Sequence, residues 1–405
     1  MYIGWRVVAG AFFGMVLANG MFTYAFTVLV DPIREEFNAS LEQVMYGLTL
    51  GTLFGLIMGP IVGALIDRFS VRILMTLGCL FTALGLFAIS NSQSIASFSW
   101  LLGVTMSLSL ATMSSMPGSA VVSRWFSTNR GRALGIASIG SSFGGVLVPA
   151  LLTFWISLYG WRDALQMMGL VTALLVMPVI WFTVRNQPSD LGLTVEEQPG
   201  LQEDESNFQQ TGLGMLEILR TPAFWIIGLS MGLVFAAFSS MLANLAPYAA
   251  GLGVGDNQIS TMISVLALGG VLGKFAFGLA ADRVNLKKGL WLAHLLLCIA
   301  FLILLTEPVY PLMLLAAVFF GLSTGGLLPV WNAMMARVFG VASFGRAMGA
   351  MGPVITLSIL PAYALVGRLF DMTGSYSLGL MVFCGVIVVA ALLLVPLKYQ
   401  DTLRN

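Results

Sequence analysis

Charge is the scarcest property of this sequence. Only 9% of its 405 residues are Asp, Glu, Lys or Arg, whereas 58% are hydrophobic and the mean hydropathy is +0.93. A soluble domain has about 25% charged residues, so the composition excludes a water-soluble globular protein and predicts a chain solvated by lipid. The formal net charge of +1 also argues against nucleic acid as a partner, since nucleic-acid binding depends on a strongly basic surface.

Metal-ligating and redox-active residues are few as well. The three cysteines, Cys79, Cys298 and Cys384, lie in apolar runs without the spacing of a disulfide framework or a metal site. We expect them to be reduced packing residues. The single histidine, His294, lies in the ninth apolar run, where proton transfer is an alternative to simple packing. The sequence therefore predicts neither a metal site nor a cofactor.

Long apolar runs, by contrast, are abundant. A membrane-spanning helix needs about 20 apolar residues, and twelve runs meet that length within boundary error. They cover residues 5–30, 43–66, 73–91, 96–123, 132–157, 163–184, 222–249, 258–281, 289–305, 309–337, 345–369 and 376–397. The predicted fold is an all-α membrane protein with a six-helix bundle at 1–184, a cytoplasmic linker at 185–221 and a second six-helix bundle at 222–405.

An enzyme is not predicted. The linker lacks hydrophobic periodicity and is too short for a catalytic domain. The segment Gly140–Ser142–Gly144 matches the Gly-x-Ser-x-Gly elbow of hydrolases. It lies inside a predicted membrane helix instead of a strand–turn–helix, and no histidine can reach it.

The distribution of Lys and Arg predicts the orientation in the membrane. With the N-terminus in the cytoplasm, that side holds fifteen of the 19 basic residues, and the outer side holds only Arg34, Arg162 and Arg368. The even number of spans returns the C-terminus to the cytoplasm. We expect a multi-pass protein of a cytoplasmic or inner membrane that works as a monomer.

One basic residue, Lys274, lies inside a span. An ammonium group at that depth costs several kcal/mol unless something offsets it, which makes Lys274 a candidate functional residue. At about 100° per residue, five small or polar residues fall within about 40° of Lys274 on the helix surface. These are Ser260, Ala267, Gly270, Gly278 and Ala281. Such a face packs on helices or lines a cavity. The alternative is that Lys274 snorkels to the cytoplasmic interface, because Asp282 ends the helix eight residues later.

The positions of the acidic residues bear on the counter-ion of Lys274. All 18 Asp and Glu residues fall at helix ends or in loops, so the sequence predicts that a bound ligand supplies the counter-ion. The same distribution leaves few proton carriers inside the membrane. Lys274 is then the candidate proton carrier, since a lysine can give up its proton whereas an arginine stays charged.

The two halves of the chain repeat each other. Four pairs of identical residues are 215 positions apart: Pro32 and Pro247, Gly63 and Gly278, Asp67 and Asp282, and Arg68 and Arg283. The segment Gly131–Arg132–Ala133 recurs 214 positions later as Gly345–Arg346–Ala347. A near-constant offset indicates internal duplication. Two parallel six-helix repeats are typical of alternating-access carriers that bind their ligand at mid-membrane.

The loop after the second span reads Gly63–x3–Asp67–Arg68–x3–Arg72, and its copy reads Gly278–x3–Asp282–Arg283–x3–Lys287. This pair resembles the signature of the major facilitator superfamily. The resemblance implies that the glycines allow close helix contact and that the acids meet a neighbouring helix N-terminus, so that the loops latch a cytoplasmic gate. The candidate gating residues are Gly63, Asp67, Arg68, Gly131, Arg132, Gly278, Asp282, Arg283, Gly345 and Arg346.

Within that superfamily the chain resembles the monocarboxylate porter and oxalate/formate antiporter branch. The resemblance rests on Arg124–Trp125–Phe126, the glycine-rich run from Arg130 to Gly144, Gly160–Trp161–Arg162, the start of the linker at Pro188 and the segment from Asp371 to Tyr376. Two departures stand out. Branch members usually carry an arginine at the position of Lys274, so the planar fork that grips a carboxylate is missing here. The first helix begins Ile3–Gly4–Trp5 instead of with an acidic residue and glycine.

The resemblance also implies which helices line the cavity, namely the first, fourth, seventh and tenth, and it places the helix of His294 on the outside of the bundle. The candidate substrate-binding residues are Lys274, Asn19, Tyr24, Thr112, Ser115, Asn244, Asn332 and Thr356. We therefore predict a secondary transporter of small organic anions, with monocarboxylates as the substrate class and protons as a possible coupling ion. The alternative is an exporter of neutral or lipophilic compounds in which Lys274 is structural.

Overall fold

A computed structural model of the chain describes residues 2–126, 130–188, 213–281, 285–340 and 343–397. The twelve predicted spans all fall on helices, which we number α1 to α12. The first six are α1 Gly4–Phe37, α2 Leu41–Arg68, α3 Val71–Ser90, α4 Ile95–Trp125, α5 130–159 and α6 161–183. The last six are α7 Pro222–Ala243 with Leu245–Gly251, α8 Asp256–Ala281, α9 Leu286–Leu305, α10 Tyr310–Phe339, α11 Phe344–Thr373 and α12 Ser377–Leu393.

Length and composition support the prediction of twelve spans. Among the described residues, ten helical stretches are long and apolar enough to cross a membrane. One of them, Ala133–Thr183, contains both α5 and α6, and the shorter apolar helix Ser377–Leu393 is α12. The division between α5 and α6 falls at Gly160, whose φ of 83° is not helical. A positive φ of this kind favours glycine, because glycine has no Cβ.

The duplication extends to the backbone of the turns. Gly160 has a counterpart 214 residues later in Gly374, which has a φ of 68°. Asn38, with a φ of 47°, ends α1 and has a counterpart 215 residues later in Gly253, with a φ of 79°. Left-handed residues are uncommon in folded proteins, so their recurrence at the repeat offset supports an origin by duplication.

Contacts divide the chain into two compact units. The first consists of Met1–Leu201 and Ala243–Ser264, and the second of Gln202–Leu242 and Val265–Asn405. The end of α7 and the beginning of α8 therefore pack with the first six helices. Ala246 donates its backbone N–H to the buried hydroxyl of Thr27 at 2.8 Å, and Ser264 donates to the carbonyl of Val146 at 3.3 Å. The domain bounds predicted from the sequence remain a prediction.

Glycines set the closest helix contacts of the first unit. A Cβ added to Gly140 of α5 would lie 2.5 Å from the Phe12 carbonyl oxygen of α1, and one added to Gly144 would lie 3.0 Å from the backbone of Gly20. The Gly140–Ser142–Gly144 segment is therefore a helix-packing surface. Directly after this contact α1 changes to a π-helix over Gly20–Tyr24 and a 3₁₀-helix over Ala25–Leu29, an irregularity that is frequent at functional sites.

The glycine stripe of α2 behaves differently along its length. The four-residue spacing of glycine in α2 predicts that Gly51, Gly55, Gly59 and Gly63 make a close helix–helix contact. Gly51 does so, because a Cβ there would lie 2.7 Å from the Met106 sulfur of α4. The expectation is wrong for Gly55 and Gly59, where a Cβ would have no neighbour within 4 Å.

Candidate functional site

Lys274 lies on the buried face of α8. Ala267 and Gly270, which share that face, are buried, and the side chain of Lys274 is half-buried. Leu268 and Leu272, on the opposite face, are 52% and 60% exposed. A helix in a bilayer turns its exposed leucines to lipid, so this arrangement directs Lys274 towards the interior of the second unit. It favours the inward position of Lys274 over snorkelling.

The helix that carries Lys274 is held tightly against α10. A Cβ on Gly273 would lie 3.1 Å from the backbone nitrogen of Gly326, and one on Gly269 would lie 3.2 Å from the Cα of Gly321. Such contacts between backbones leave little freedom for α8 to shift. Gly273, which directly precedes Lys274 in the chain, therefore fixes the position of the lysine.

Aromatic residues form a second part of this unit. Trp331 of α10 is buried, and its indole N–H points at the sulfur of Met351 at 3.3 Å. The ring of Phe235 in α7 packs edge-on to Trp331 with centroids 6.1 Å apart. The phenol of Tyr363 in α11 is buried and hydrogen-bonded to Ser239 of α7. The sequence analysis missed Phe235 and Tyr363, because an aromatic residue in an apolar run gives no sign of the direction in which it points.

The other two candidates of the second unit differ from each other in exposure. Thr356 of α11 is half-buried, and Asn332 of α10 is exposed. Neither side chain is buried by packing. Both stay predictions as substrate-binding residues.

In the first unit, Asn19 and Ser115 lie close to each other at a break in α4. The amide of Asn19 donates to Met15 O and to the hydroxyl of Ser114, each at 3.1 Å. Ser114 separates the two parts of α4, Ile95–Met113 and Ser115–Trp125. Ser115 itself is exposed. The structure thus brings Asn19 of α1 next to the exposed start of the second part of α4.

The remaining candidates in the first unit are engaged in packing. Tyr24 is buried and hydrogen-bonded to Ser142 of α5. Thr112 donates to Leu108 O at 2.6 Å and packs against Gly78 of α3. Its placement against α3 differs from the cavity-lining position that we expected. A hydroxyl that bonds its own helix and touches a glycine is typical of helix packing.

Asn244 is also engaged in packing. It is fully buried in the first unit, and its amide lies 3.5 Å from the sulfur of Met45 in α2. It separates the two parts of α7, with a φ of −109° and a ψ of 8°. The end of α7 packs with the first six helices, and the role of Asn244 as a substrate-binding residue stays a prediction.

Most of the candidate gating residues lie outside the described part of the chain. Asp282 and Arg283 are not described, and neither are the side chains of Asp67, Arg68, Gly131, Arg132 and Gly345. The two loop glycines can be assessed. A Cβ on Gly63 would lie 3.7 Å from the sulfur of Met116, an ordinary contact, and one on Gly278 would have no neighbour within 4 Å. Among the residues that the structure describes, neither glycine makes the close helix contact that the resemblance implies.

Two arginines make contacts that the sequence did not predict: Arg124 of the Arg-Trp-Phe segment and Arg346 of the repeated Gly-Arg-Ala segment. Arg124 of α4 donates to the carbonyl of Ile66 in the last turn of α2 at 2.9 Å. A cation at a helix C-terminus is favourable because of the helix dipole. Arg346 of α11 donates to Leu213 O at 3.1 Å, and Leu213 donates its N–H to Ser343 at 2.7 Å. Arg346 therefore anchors the chain just before α7.

The Gly160–Trp161–Arg162 motif holds the ends of neighbouring helices of the first unit together. Arg162 forms an ion pair with Glu36 at the end of α1, with N–O distances of 2.7 and 2.8 Å. The indole N–H of Trp161 donates to the same carboxylate. Arg162 also donates to Ser90 O and Ser92 O after α3. One arginine thus joins the ends of three helices.

His294 is more buried than expected. Its side chain is only 1% exposed, and Nε2 lies 3.3 Å from the hydroxyl of Ser230 in α7. Nδ1 lies 2.6 Å from Leu290 O. The side chain therefore points from α9 towards α7, and the placement of α9 on the outside of the bundle stays a prediction.

The chain matches known families along its whole length. The family model described as Major Facilitator Superfamily matches residues 11–255 and 229–405. Monocarboxylate transporter 12 of Xenopus laevis is 24% identical over 407 residues, which is 95% of this chain and 88% of that protein. Monocarboxylate transporter 2 of Homo sapiens is 25% identical, covering 96% of this chain and 84% of that protein.

A solved structure shares the fold. The chain superposes on a bacterial homologue of the human lysosomal transporter Spinster, in an inward-facing and unoccupied conformation, with a TM-score of 0.68. The two sequences are 17% identical, and the match covers 98% of this chain and 94% of that one. At this identity the likeness concerns the fold alone, which agrees with twelve membrane helices in two repeats.

Proposed function

Because the chain belongs to the Major Facilitator Superfamily, we propose that it is a secondary active transporter of small organic anions, with monocarboxylates as its substrates. It works by alternating access, with both termini in the cytoplasm and the protein in a cytoplasmic or inner membrane. The observation that carries the proposal is the place of Lys274, half-buried on the inward face of α8. A cation inside a span is typical of a ligand or ion pathway.

The chemistry of Lys274 fits a compact anion. An ammonium is a point charge with three donors and does not impose the planar, two-pronged geometry of a guanidinium. It accepts a carboxylate in several orientations, so we expect tolerance for the substituent next to the carboxylate. The aromatic pair of Phe235 and Trp331 in the same unit provides an apolar surface for a short hydrocarbon part.

The relatives support the substrate class. Two of them are named monocarboxylate transporters and align over nearly the whole of this chain. At 24–25% identity such names support a class of substrate more than a particular molecule. The replacement of the usual arginine by Lys274 makes an independent test necessary.

The test uses purified protein in proteoliposomes and a panel of labelled compounds. The panel contains short monocarboxylates, a dicarboxylate and the neutral amide of one of the monocarboxylates. Wild type should take up the monocarboxylates, and Lys274→Ala should lose that uptake by at least about thirtyfold, equivalent to about 2 kcal/mol. Leu272→Ala, on the lipid face of the same helix, is the matched control and should transport like wild type.

The outcomes separate the proposal from its competitor. Equal uptake of the monocarboxylate and its neutral amide, unaffected by Lys274→Ala, would show that the protein transports neutral compounds and that Lys274 is structural. Loss of transport in Leu272→Ala as well would show that any change in α8 disables the protein. Only a selective loss in Lys274→Ala supports an anion site at the lysine.

A further inference from the structure

The contact between α9 and α12 follows a regular antiparallel pattern. Lys287 of α9 donates to Val395 O beyond the end of α12 at 2.6 Å. One turn later, Trp291 donates its indole N–H to Ala391 O at 2.9 Å. Four residues forward on α9 therefore correspond to four residues back on α12, as expected of two antiparallel helices that face each other.

The same register brings two cysteines together. Seven residues beyond Trp291 is Cys298, and seven residues before Ala391 is Cys384. Seven residues are close to two helical turns, so both return to the contact face. The register set by Lys287 and Trp291 accordingly places the two thiols opposite each other across the contact of α9 with α12. Both are free and half-buried.

The surroundings of the pair determine what can reach it. Leu380 and Phe383 beside Cys384 are buried, whereas Leu295 and Met381 on the neighbouring turns are exposed. The sequences of α9 from 289 to 305 and of α12 from 377 to 393 contain no Asp, Glu, Lys or Arg. The thiols therefore lie at the edge of an apolar seam, open on the side that faces lipid. Neutral lipophilic compounds can approach from that side, and charged water-soluble compounds are excluded.

We propose that Cys298 and Cys384 form a dithiol site that binds neutral thiophilic compounds able to bridge two sulfur atoms. A trivalent organoarsenic oxide is the matching chemical class. The two thiols lose their S–H bonds, two As–S bonds form, and the oxygen of the reagent leaves as water. Arsenic stays trivalent, so no oxidant or reductant is needed. The product joins α9 to α12 through one arsenic atom.

The chain provides a matched control in its third cysteine. Cys79 of α3 is buried, and its sulfur lies 3.2 Å from that of Met113 in α4. It has a thioether as its neighbour in place of a second thiol, so it cannot chelate. Bridging should therefore need Cys298 and Cys384 together and be independent of Cys79.

The experiment treats the full-length protein in liposomes with phenylarsine oxide and measures the intact mass. Wild type and Cys79→Ala should each bind one arsenic per chain, which a small dithiol removes and a monothiol does not. Cys298→Ala and Cys384→Ala should each retain less than a tenth of that binding. Equal binding in either single variant, or its loss in Cys79→Ala, would overturn the proposal.

Moving one thiol to another face of α12 tests whether bridging depends on the position of the two thiols or only on the presence of reactive thiols. In the double variant Cys384→Ala with Gly385→Cys, the chain keeps three cysteines, but one thiol is turned by about 100° around α12. Position 385 is exposed, and a Cβ there has no neighbour within 4 Å, so the new side chain fits. This variant should not be bridged. Bridging as efficient as in wild type would show that the register of α9 and α12 does not define a site.

Discussion

The two copies of the second helix of each repeat, α2 and α8, differ in how they are held and in what they carry. In α2, a Cβ on Gly51 would lie 2.7 Å from the sulfur of Met106, and the backbone nitrogen of Gly51 lies 3.1 Å from a Cβ placed on Gly103 of α4. In α8, a Cβ on Gly273 would lie 3.1 Å from the backbone nitrogen of Gly326 in α10. The repeat offset of 215 places Gly59 of α2 at the position of Lys274. Both copies are thus packed through glycines, but only in α8 does a glycine contact directly precede a charged residue.

This difference shows how a duplicated scaffold acquires a site in one half only. The turns and loop motifs are kept in both copies, because both need the same fold. A charge inside a membrane is costly in either copy, and only one copy carries it. A binding group also needs a fixed position, which the glycine contact of α8 with α10 provides. Each of the following changes tests one part of this comparison.

The largest effect should come from breaking the glycine contact of α8. A side chain at Gly273 would collide with the backbone of Leu322 and Gly326. Overpacking of this kind costs about 1–3 kcal/mol or more, so we expect Gly273→Leu to lower the thermal unfolding temperature and to abolish transport. A Cβ on Gly278 of the same helix has no described neighbour within 4 Å, so Gly278→Leu should fold like wild type. Equal unfolding temperatures of the two variants would show that the contact does not hold α8.

Moving the charge between the copies should also have a large effect. Lys274→Gly with Gly59→Lys exchanges the two residues and leaves the composition unchanged. We expect it to fold, because a side chain at position 59 has no neighbour within 4 Å. It should not regain carboxylate uptake, because no described residue lies within 4 Å of a Cβ at position 59 to hold the new lysine in place. Uptake within a few-fold of wild type would show that the lysine works in either copy.

Exchanging lysine for arginine should have a selective effect. Lys274→Arg keeps a cation for the carboxylate, but an arginine does not give up its proton. If Lys274 carries the coupling proton, the variant should still exchange labelled for unlabelled carboxylate, whereas net uptake driven by a pH gradient should fail. Both modes are measured in the same proteoliposomes. Net uptake equal to that of wild type would place the proton carrier elsewhere in the protein.

Much of the fold could be predicted from the sequence. Twelve apolar runs of sufficient length, short polar breaks and a constant repeat offset fix the number and order of the helices. The break at Gly160 was expected within a few residues, since it separates two runs. The inward face of α8 was also predictable, because the position of small residues and leucines around a helix depends only on its period.

Other features depend on the partner that each side chain meets. Thr112 and Asn244 resemble cavity residues in the sequence, but the structure gives them packing neighbours, Gly78 and Met45. Cys298 and Cys384 are 86 positions apart, and only the register of two antiparallel helices brings them together. Periodicity shows which face of a helix is buried and does not identify the helix that covers it.

The smallest effect should come from the two loop acids, which also extend the comparison of α2 with α8 to their ends. Asp67→Asn and Asp282→Asn each remove one charge that the family resemblance places at a helix N-terminus, a contact worth about 1 kcal/mol. We therefore expect normal folding and a turnover about fivefold slower in each.

Gly63→Ala serves as the conformational control. The new Cβ would lie 3.7 Å from the sulfur of Met116, an ordinary contact, so slower turnover in this variant would indicate a tighter contact in another state of the cycle. Turnover equal to wild type in all three variants would contradict a gating role for these loops. Slower turnover in only one of the two asparagine variants would show that only one repeat, as with the lysine, has the gating contact.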